Sequence, residues 1–370
     1  MVNKVLVAGA SGLVGHAAIE EFSTSEDWDV VGVSRRIPPD LSGAELLSID
    51  LTDATACASV FGRMADVTHL VYAALSETPG LFGGWLDEDN IKRNDAMLRN
   101  LFEPLSRVAQ NLQHVSLLHG TKAYGLHHPD VLPERIRNPL REREPRVAHR
   151  NFYFAQEDYL SEKQKGANWA MTVFRPTVIY GDATGNNMNP IPAIGAYAAL
   201  LRERGEPLYF PASAGAQQLR EAVDARLVAR ALAWAATSPK AVGGTYNLTN
   251  GDAFTWQALW PAIATSLGME PGGVREFSFA TELPAAGEEW KAIVRKYELA
   301  APEDITEFVG YNSMVYADMV VSGGRRQGNT ILNSTIAARQ AGFHDCIDTE
   351  DMFVSLFARM VEKRLLPPAP

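Results

Sequence analysis

Cysteine is nearly missing: Cys57 and Cys346 are the two in 370 residues. A disulfide framework or a thiolate metal site needs more, so neither is expected. The scarcity suits a reducing, cytoplasmic compartment. Long apolar runs are missing too. No stretch approaches the ~20 residues that cross a bilayer, and the opening "MVNKVLVAGASGLVG" is interrupted by glycines too early for a signal-peptide core. Membrane is therefore not an expected partner. Excess positive charge is absent: 34 Lys and Arg against 44 Asp and Glu leave a net charge of −10. That balance argues against nucleic acid or an anionic membrane surface as partner. The one basic run, residues 133–150, is broken up by glutamates and prolines and reads as a surface loop. Histidines at ligand spacing are missing as well, since His127 and His128 are adjacent, and no metal is expected.

What is present is an ordinary globular composition, 46% hydrophobic and 21% charged. The chain is long enough for one large domain or two closely packed ones. Short β-rich runs at 4–9, 29–34, 46–50, 69–75, 114–120 and 171–181 alternate with helical patterns such as residues 90–112. Alternation of this kind predicts an α/β fold, a doubly wound parallel sheet. Beyond Gly181 the pattern loosens. Residues 189–205 and 223–238 read as helices, 245–250 as one more strand, and the rest as mostly helical. The expected division is a nucleotide-binding Rossmann domain over 1–181 and a smaller, mostly helical substrate lobe over 182–370. The chain would return to the sheet around 214–250.

"GASGLVG" follows the first strand and opens the first helix. Gly9 allows a tight turn, Gly12 lets backbone approach a pyrophosphate, and Gly15 lets helix and strand pack closely. Ser11, Leu13 and Val14 share that turn as cofactor contacts, at a helix N-terminus whose free N–H groups favour phosphate. The second strand ends in "SRR" rather than in the acid that reads a ribose 2′-OH. Ser34, Arg35 and Arg36 suit a 2′-phosphate instead, so the expected cofactor is NADPH/NADP+. Asp50 and Leu51 after the third strand would edge the adenine, and Ala73, Ala74 and Leu75 after the fourth would let the cofactor lie across them.

These glycines, with "YAAL" ending strand four and "FRPTVIYG" in strand six, resemble the extended short-chain dehydrogenase/reductase family over most of the chain up to Gly181. That family carries a serine-rich end to strand five and Tyr-x-x-x-Lys on the next helix. Here His119 and Gly120 stand in place of the serines, and Glu157 stands four residues after Tyr153 where the lysine would fall. One subgroup shares those departures. "GTKAYG" and "NFYFAQEDYL" resemble the "TGxKHYxG" and "NFYYxxED" motifs of the progesterone 5β-reductase/iridoid synthase-like enzymes. The resemblance implies Lys122 and Tyr153 as the catalytic pair, with Gly120, Lys122 and Tyr153 also against the cofactor. Ala123 and Phe154 replace the subgroup's histidine and second tyrosine and are expected to alter pocket shape. A literal Tyr-x-x-x-Lys exists at Tyr159 and Lys163, but it lies too close to the helix end and reads as an i,i+4 pair on a helix face.

In that subgroup the reaction is 1,4-reduction of an α,β-unsaturated ketone or aldehyde, with hydride going to the β-carbon. Charge develops on the carbonyl oxygen, where Tyr153 would donate a hydrogen bond and Lys122 would stabilise the enolate. Backbone at Val178 and Ile179 would orient the nicotinamide carboxamide. The expected partner is a small, apolar enone, and a homodimer is expected from the habit of such enzymes. Two alternatives remain open here: a carbonyl reductase or sugar-nucleotide epimerase/dehydratase of the same fold, and a non-catalytic NADP(H) sensor. Of the later aromatics, Phe210, Trp256, Trp260, Phe279, Tyr311 and Tyr316, most are expected in the core and a few against substrate.

Overall fold

The computed structural model describes residues 2–128, 131, 136–322 and 330–369. Residues 133–135 of the basic run lie outside the described residues. Residues 136–150 form no helix or extended strand and are mostly exposed or half-buried.

Apolar runs buried on both faces are the mark of parallel strands covered by helices, and the first strand shows why. In β1 (Asn3–Ala8) the residues Val5, Leu6, Val7 and Ala8 are all fully buried. Successive side chains point to opposite faces, so Leu6 and Ala8 enter one core while Val5 and Val7 enter another. The companion strands are β2 (Trp28–Ser34), β3 (Glu45–Ser48), β4 (His69–Tyr72), β5 (His114–Leu118) and β6 (Ala170–Pro176). With a late strand, β10 (Thr245–Leu248), they form a seven-stranded sheet ordered β10-β6-β5-β4-β1-β2-β3. Every pairing in it is parallel.

Helices α2 (Ala54–Phe61), α3 (Glu88–Val108) and α4 (Phe152–Gln164) cover one face, and α1 (Leu13–Phe22) and α6 (Ala225–Thr237) the other. Side-chain caps start several of them: Asp53 accepts from Thr55 and Ala56 N–H, Asp87 from Asp89, and Asn151 from Tyr153. Such caps satisfy the orphan donors of a first helical turn. A third core is built largely from α5 (Pro190–Glu203), α7 (Trp256–Ser266), α8 (Phe279–Ala285), α9 (Gly287–Lys296), α10 (Ile305–Val309), α11 (Tyr311–Ser322) and α13 (Thr349–Glu362). The short α12 (Ile336–Gln340) packs beside β10. Charged groups tie α13 back to the sheet layer. Arg359 reaches Asp182 at 2.9 Å and Glu20 at 3.1 Å, and Lys363 lies 3.0 Å from both Asp182 and Asp40.

The structure corrects the sixth strand. Residues 171–181 are not one element, because Pro176 closes β6, and Ile179–Tyr180 forms a separate strand, β7, paired with β9 (Val223–Asp224). A proline has no N–H to continue the ladder. The third and fourth strands also end earlier than expected, at Ser48 and Tyr72. The pair β8 (Leu208–Phe210) and β11 (Pro271–Val274) was not foreseen, being short and, in "PGGV", rich in glycine. The chain does return to the sheet within 214–250, through β9, α6 and β10. Among the described residues no helix is long and apolar enough to cross a membrane. No group of three His, Cys, Asp or Glu among them could hold a metal ion.

A histidine buried in the sheet makes stability depend on pH. His114 is 4% exposed, and its Nε2 pairs with Thr172 Oγ at 2.9 Å. Thr172 Oγ itself donates to the Ala241 carbonyl, so Nε2 carries the ring proton. Burial lowers the His114 pKa from the usual 6.5 to about 4. The unfolded chain therefore binds a proton near pH 6.5 that the folded chain refuses until about pH 4. Stability is full above pH 6.5 and falls across that window, by about 3 kcal/mol for this group. His69, lowered by burial, adds in the same direction. Urea unfolding from pH 7.5 to 4.5 should show this loss, and His114→Gln should show a shallower slope; an unchanged slope contradicts the assignment.

Candidate active site

At the carboxyl ends of the parallel strands, β1 is flanked by β2 on one side and β4 on the other. The strand order reverses there, which is where open α/β sheets hold ligands. A cavity of about 640 Å³ occupies this position.

One end of the cavity is backbone. Gly9 has φ +95°, and a Cβ on it would lie 2.8 Å from the Ala73 carbonyl carbon. Only glycine permits both the conformation and the approach to β4. Gly12 precedes α1 without any side-chain cap and no acid occupies the first turn, so the helix's leading N–H groups and dipole are left for an anion. Gly9, Ser11, Gly12, Leu13 and Val14 line the cavity. Gly15 does not; a Cβ there would collide with the Gly9 carbonyl oxygen, so its part is the close packing of helix on turn.

Ser34, Arg35 and Arg36 line the next stretch. Ser34 Oγ donates to the Arg36 carbonyl at 2.5 Å, and Arg36 Nη2 donates to the Thr184 carbonyl at 2.7 Å, joining the end of β2 to the segment leading into α5. Asp50, Leu51, Ala73, Ala74 and Leu75 follow along the wall. The Asp50 carboxylate accepts from Thr52 N–H and Oγ at 2.9 and 2.8 Å, bonds that lower its pKa. Val178 and Ile179 line the wall opposite, between β6 and β7.

The other end of the cavity carries the titratable groups. Lys122 sits on a 3₁₀ turn, Thr121–Tyr124, directly after β5, and Tyr153 on the first turn of α4. Asn151 connects the two segments: its Oδ1 accepts from Tyr153 N–H at 3.0 Å and its Nδ2 donates to the Lys122 carbonyl at 3.3 Å. Gly120, Lys122 and Tyr153 all face the cavity. A Cβ at Gly120 would lie 3.3 Å from Tyr153 Oη, so the glycine leaves room for the hydroxyl. His119 stacks on the Tyr153 ring, centroids 4.6 Å apart and planes 13° from parallel.

Three of the residues around this end were not anticipated as site residues. Glu77 Oε1 accepts from Lys122 Nζ at 3.2 Å, and Glu77 Oε2 from Trp85 Nε1 at 3.1 Å. The Lys122 ammonium also lies 3.9 Å from the centre of the Trp85 ring, within cation–π range. The third is Phe152, whose side chain lines the wall beside Tyr153. Burial lowers the Lys122 pKa and Glu77 opposes that shift. Burial raises the Tyr153 pKa, with Glu77 and Tyr316 adding to it. Tyr316, from α11, is the one of the six later aromatics that reaches the cavity. Phe210, Trp256, Trp260 and Phe279 are buried in the third core, and Tyr311 is exposed.

Residues 59–367 match the family model described as a PRISE-like Rossmann-fold domain. The chain belongs to this family. An (S)-8-oxocitronellyl enol synthase of Camptotheca acuminata is 30% identical over 378 residues, covering 98% of this chain and 93% of that protein. A 3-oxo-Delta(4,5)-steroid 5-beta-reductase of Arabidopsis thaliana is 29% identical over 374 residues, covering 98% and 92%. Among solved structures, the Bordetella bronchiseptica enzyme WbmH in complex with NAD+ aligns with TM-score 0.63 at 16% identity, over 97% of this chain and 99% of that one. A UDP-glucuronic acid 4-epimerase from Bacillus cereus in complex with NAD aligns with TM-score 0.64 at 12% identity, over 97% and 99%. At such identities the structural likeness concerns the fold alone.

Within this PRISE-like chain the literal Tyr-x-x-x-Lys, Tyr159 and Lys163, lies elsewhere. Tyr159 is buried in the core beneath α3 and α4, donates to Glu103 at 2.9 Å, and shares that carboxylate with Lys163 at 2.8 Å. Neither residue lines the cavity. The two motif departures also stay out of it. Ala123 and Phe154 pack with Phe152 and Tyr153, and Phe154 meets His149 edge-on at 5.6 Å. They touch the cavity's lining through these neighbours rather than lining it themselves. Glu157 lies 3.1 Å from Arg146 and 3.9 Å from the buried His119.

The glycine turn gives a direct test of the packing. Gly15→Ala forces backbone apart and should cost about 1–3 kcal/mol, the usual range for overpacking. Gly12→Ala, whose Cβ would meet the Gly9 oxygen at 3.2 Å, should cost less. Urea unfolding of the two variants measures the difference, and equal stabilities would contradict the close approach at Gly15.

Proposed function

We propose that this chain is an NADPH-dependent enone reductase that reduces the C=C bond of small, largely apolar α,β-unsaturated ketones or aldehydes. The observation that carries the reading is the meeting of Lys122 and Tyr153, from two separate segments, at one end of a cavity whose other end is a glycine turn at a helix N-terminus. Relatives that align over nearly the whole chain carry the names of an enol synthase and a steroid 5-beta-reductase, which supports the same reaction class.

The residues present fit a nicotinamide dinucleotide. Gly9 and Gly12 line the cavity with backbone alone, and the uncapped start of α1 would hold the pyrophosphate. Arg35 and Arg36, beside Ser34 and with no acid among them, favour a 2′-phosphate. Asp50 and Leu51 would edge the adenine, Ala73 to Leu75 would support the dinucleotide, and backbone at Val178 and Ile179 would orient the carboxamide. In this division residues 1–181 bind cofactor and residues 182–370, through Tyr316, close over substrate.

Bound NADPH supplies the hydride that the substrate's β-carbon receives. The protein's task is then the negative charge that appears on the carbonyl oxygen. Tyr153 Oη would donate a hydrogen bond to that oxygen. With its pKa raised, the phenol stays protonated and serves as a fixed donor. The Lys122 ammonium would stabilise the same charge from the turn after β5. The α-carbon would take its proton from solvent after hydride transfer, so neither group needs to hand on a proton along a helix, which accords with Glu157 standing where a carbonyl reductase carries lysine. Burial of the two side chains strengthens both interactions.

The test is NADPH oxidation, with products identified by mass and NMR, using 2-cyclohexenone, citral, an enone steroid and a saturated aldehyde. Saturated carbonyl products are expected from the enones and none from the saturated aldehyde. Tyr153→Phe and Lys122→Ala should each lower kcat/KM by roughly 100- to 1,000-fold, the loss typical of one oxyanion donor. Replacing Arg35 and Arg36 together by alanine should raise the KM for NADPH more than that for NADH. Alcohols as the only products would overturn the reading in favour of carbonyl reduction.

A further inference from the structure

The loop after β4 carries a carboxylate that the reaction above does not use. Glu77 has no solvent-exposed side-chain surface, and both its oxygens are taken, one by Lys122 Nζ and the other by Trp85 Nε1. Lys122 is thereby held between a carboxylate at 3.2 Å and an indole face at 3.9 Å. The loop that presents this clamp is itself pinned. Ser76 exchanges two hydrogen bonds with Asn94 of α3, at 2.8 and 2.9 Å. Asn90 Nδ2 donates to the Gly84 carbonyl at 3.0 Å. From the other side Asn312 of α11 accepts from Gly80 N–H at 2.9 Å and donates to the Thr78 carbonyl at 3.1 Å. Gly84 has to be glycine, since a Cβ would strike Thr78 Oγ. A loop tied to two helices sets the position of Glu77 before any ligand arrives.

We infer that Glu77 is a positioning residue for the proposed enone reduction, fixing the Lys122 ammonium against Trp85 and supplying its counter-charge. The inference rests on that reaction for its functional consequence. Its physical basis is the cost of a buried charge: an unpaired ammonium out of water loses several kcal/mol of hydration and tends to shed its proton instead. Burial drives Lys122 in that direction, and Glu77 is the group that opposes it. The other titratable groups facing this end are Tyr153 and Tyr316, both with pKa values raised by burial, and His119, whose pKa burial lowers; all three are neutral. His149, lowered by burial, approaches the Lys122 backbone rather than its ammonium. His127 meets Trp85 edge-on, 6.2 Å between ring centres. Burial raises the Tyr153 pKa and Glu77 adds to that shift, so the carboxylate that opposes deprotonation of the lysine does not favour ionisation of the phenol.

The sign of the effect follows. Without the carboxylate, Lys122 loses its proton at lower pH, so Glu77→Gln should be impaired on the alkaline side and approach wild type as pH falls. The direct readout is independent of turnover: the lysine side-chain ¹³Cε resonance, assigned through Lys122→Met, is followed against pH by NMR. The Lys122 midpoint should fall by about one pH unit or more in Glu77→Gln, a tenfold or larger change in proton affinity. Glu77→Asp, which keeps the charge at a longer distance, should fall between the two. The alkaline limb of kcat/KM for enone reduction should move with the midpoint. An unchanged midpoint in both variants overturns the inference, whether or not enones are reduced. A midpoint that moves in a protein that consumes no enone supports the ion-pair role and overturns the proposed reaction.

Discussion

An ammonium group buried beside a phenol governs the arrangement of this site. Lys122 cannot stay charged away from water without a partner, and its partner cannot be the substrate, which is neutral until the reaction begins. The chain answers with Glu77 and Trp85, delivered by a loop from the neighbouring strand. The remaining hydrogen bonds at this end keep that geometry: Asn151 joins the lysine turn to the tyrosine helix, and Asn312 and Asn94 hold the loop from opposite sides.

The fold makes the convergence cheap. Parallel strands buried on both faces end at the same edge, so the segments that follow β1, β2, β4, β5 and β6 meet there. The turn after β1 needs glycines because it passes against β4 and receives α1. The third core, from α5 onward, adds a wall through Tyr316 and is tied to the sheet layer by Arg359 and Lys363. One cavity results, lined by a backbone cradle suited to phosphates and by Lys122, Tyr153 and Tyr316, with the Glu77 carboxylate behind the lysine.

Much of this was legible in the sequence, for identifiable reasons. Gly9, Gly12 and Gly15 report a backbone demand that no other residue meets, and apolar runs buried on both faces report a parallel sheet. Lys122 and Tyr153 stand out because each sits in a family motif, and both line the cavity. Glu77 and Trp85 do not, because their contacts join a loop lacking periodicity to Lys122, a residue 45 positions from Glu77. Tyr316 was hidden among aromatics that a helical pattern cannot sort into core and cavity wall. The break in residues 171–181 was signalled by Pro176 but masked by the apolar residues on both sides of it. Ala123 and Phe154 lie one layer behind Phe152 and Tyr153, a distinction that motif position alone does not carry.

In the proposed reaction hydride reaches the β-carbon while Tyr153 and Lys122 attend to the carbonyl oxygen. Transfer of deuterium from NADPH labelled at C4 to an enone, followed by NMR of the product, tests it most directly. Deuterium on the β-carbon of a saturated carbonyl compound is the expected result. Deuterium on the carbinol carbon of an allylic alcohol, with the C=C bond intact, would contradict it.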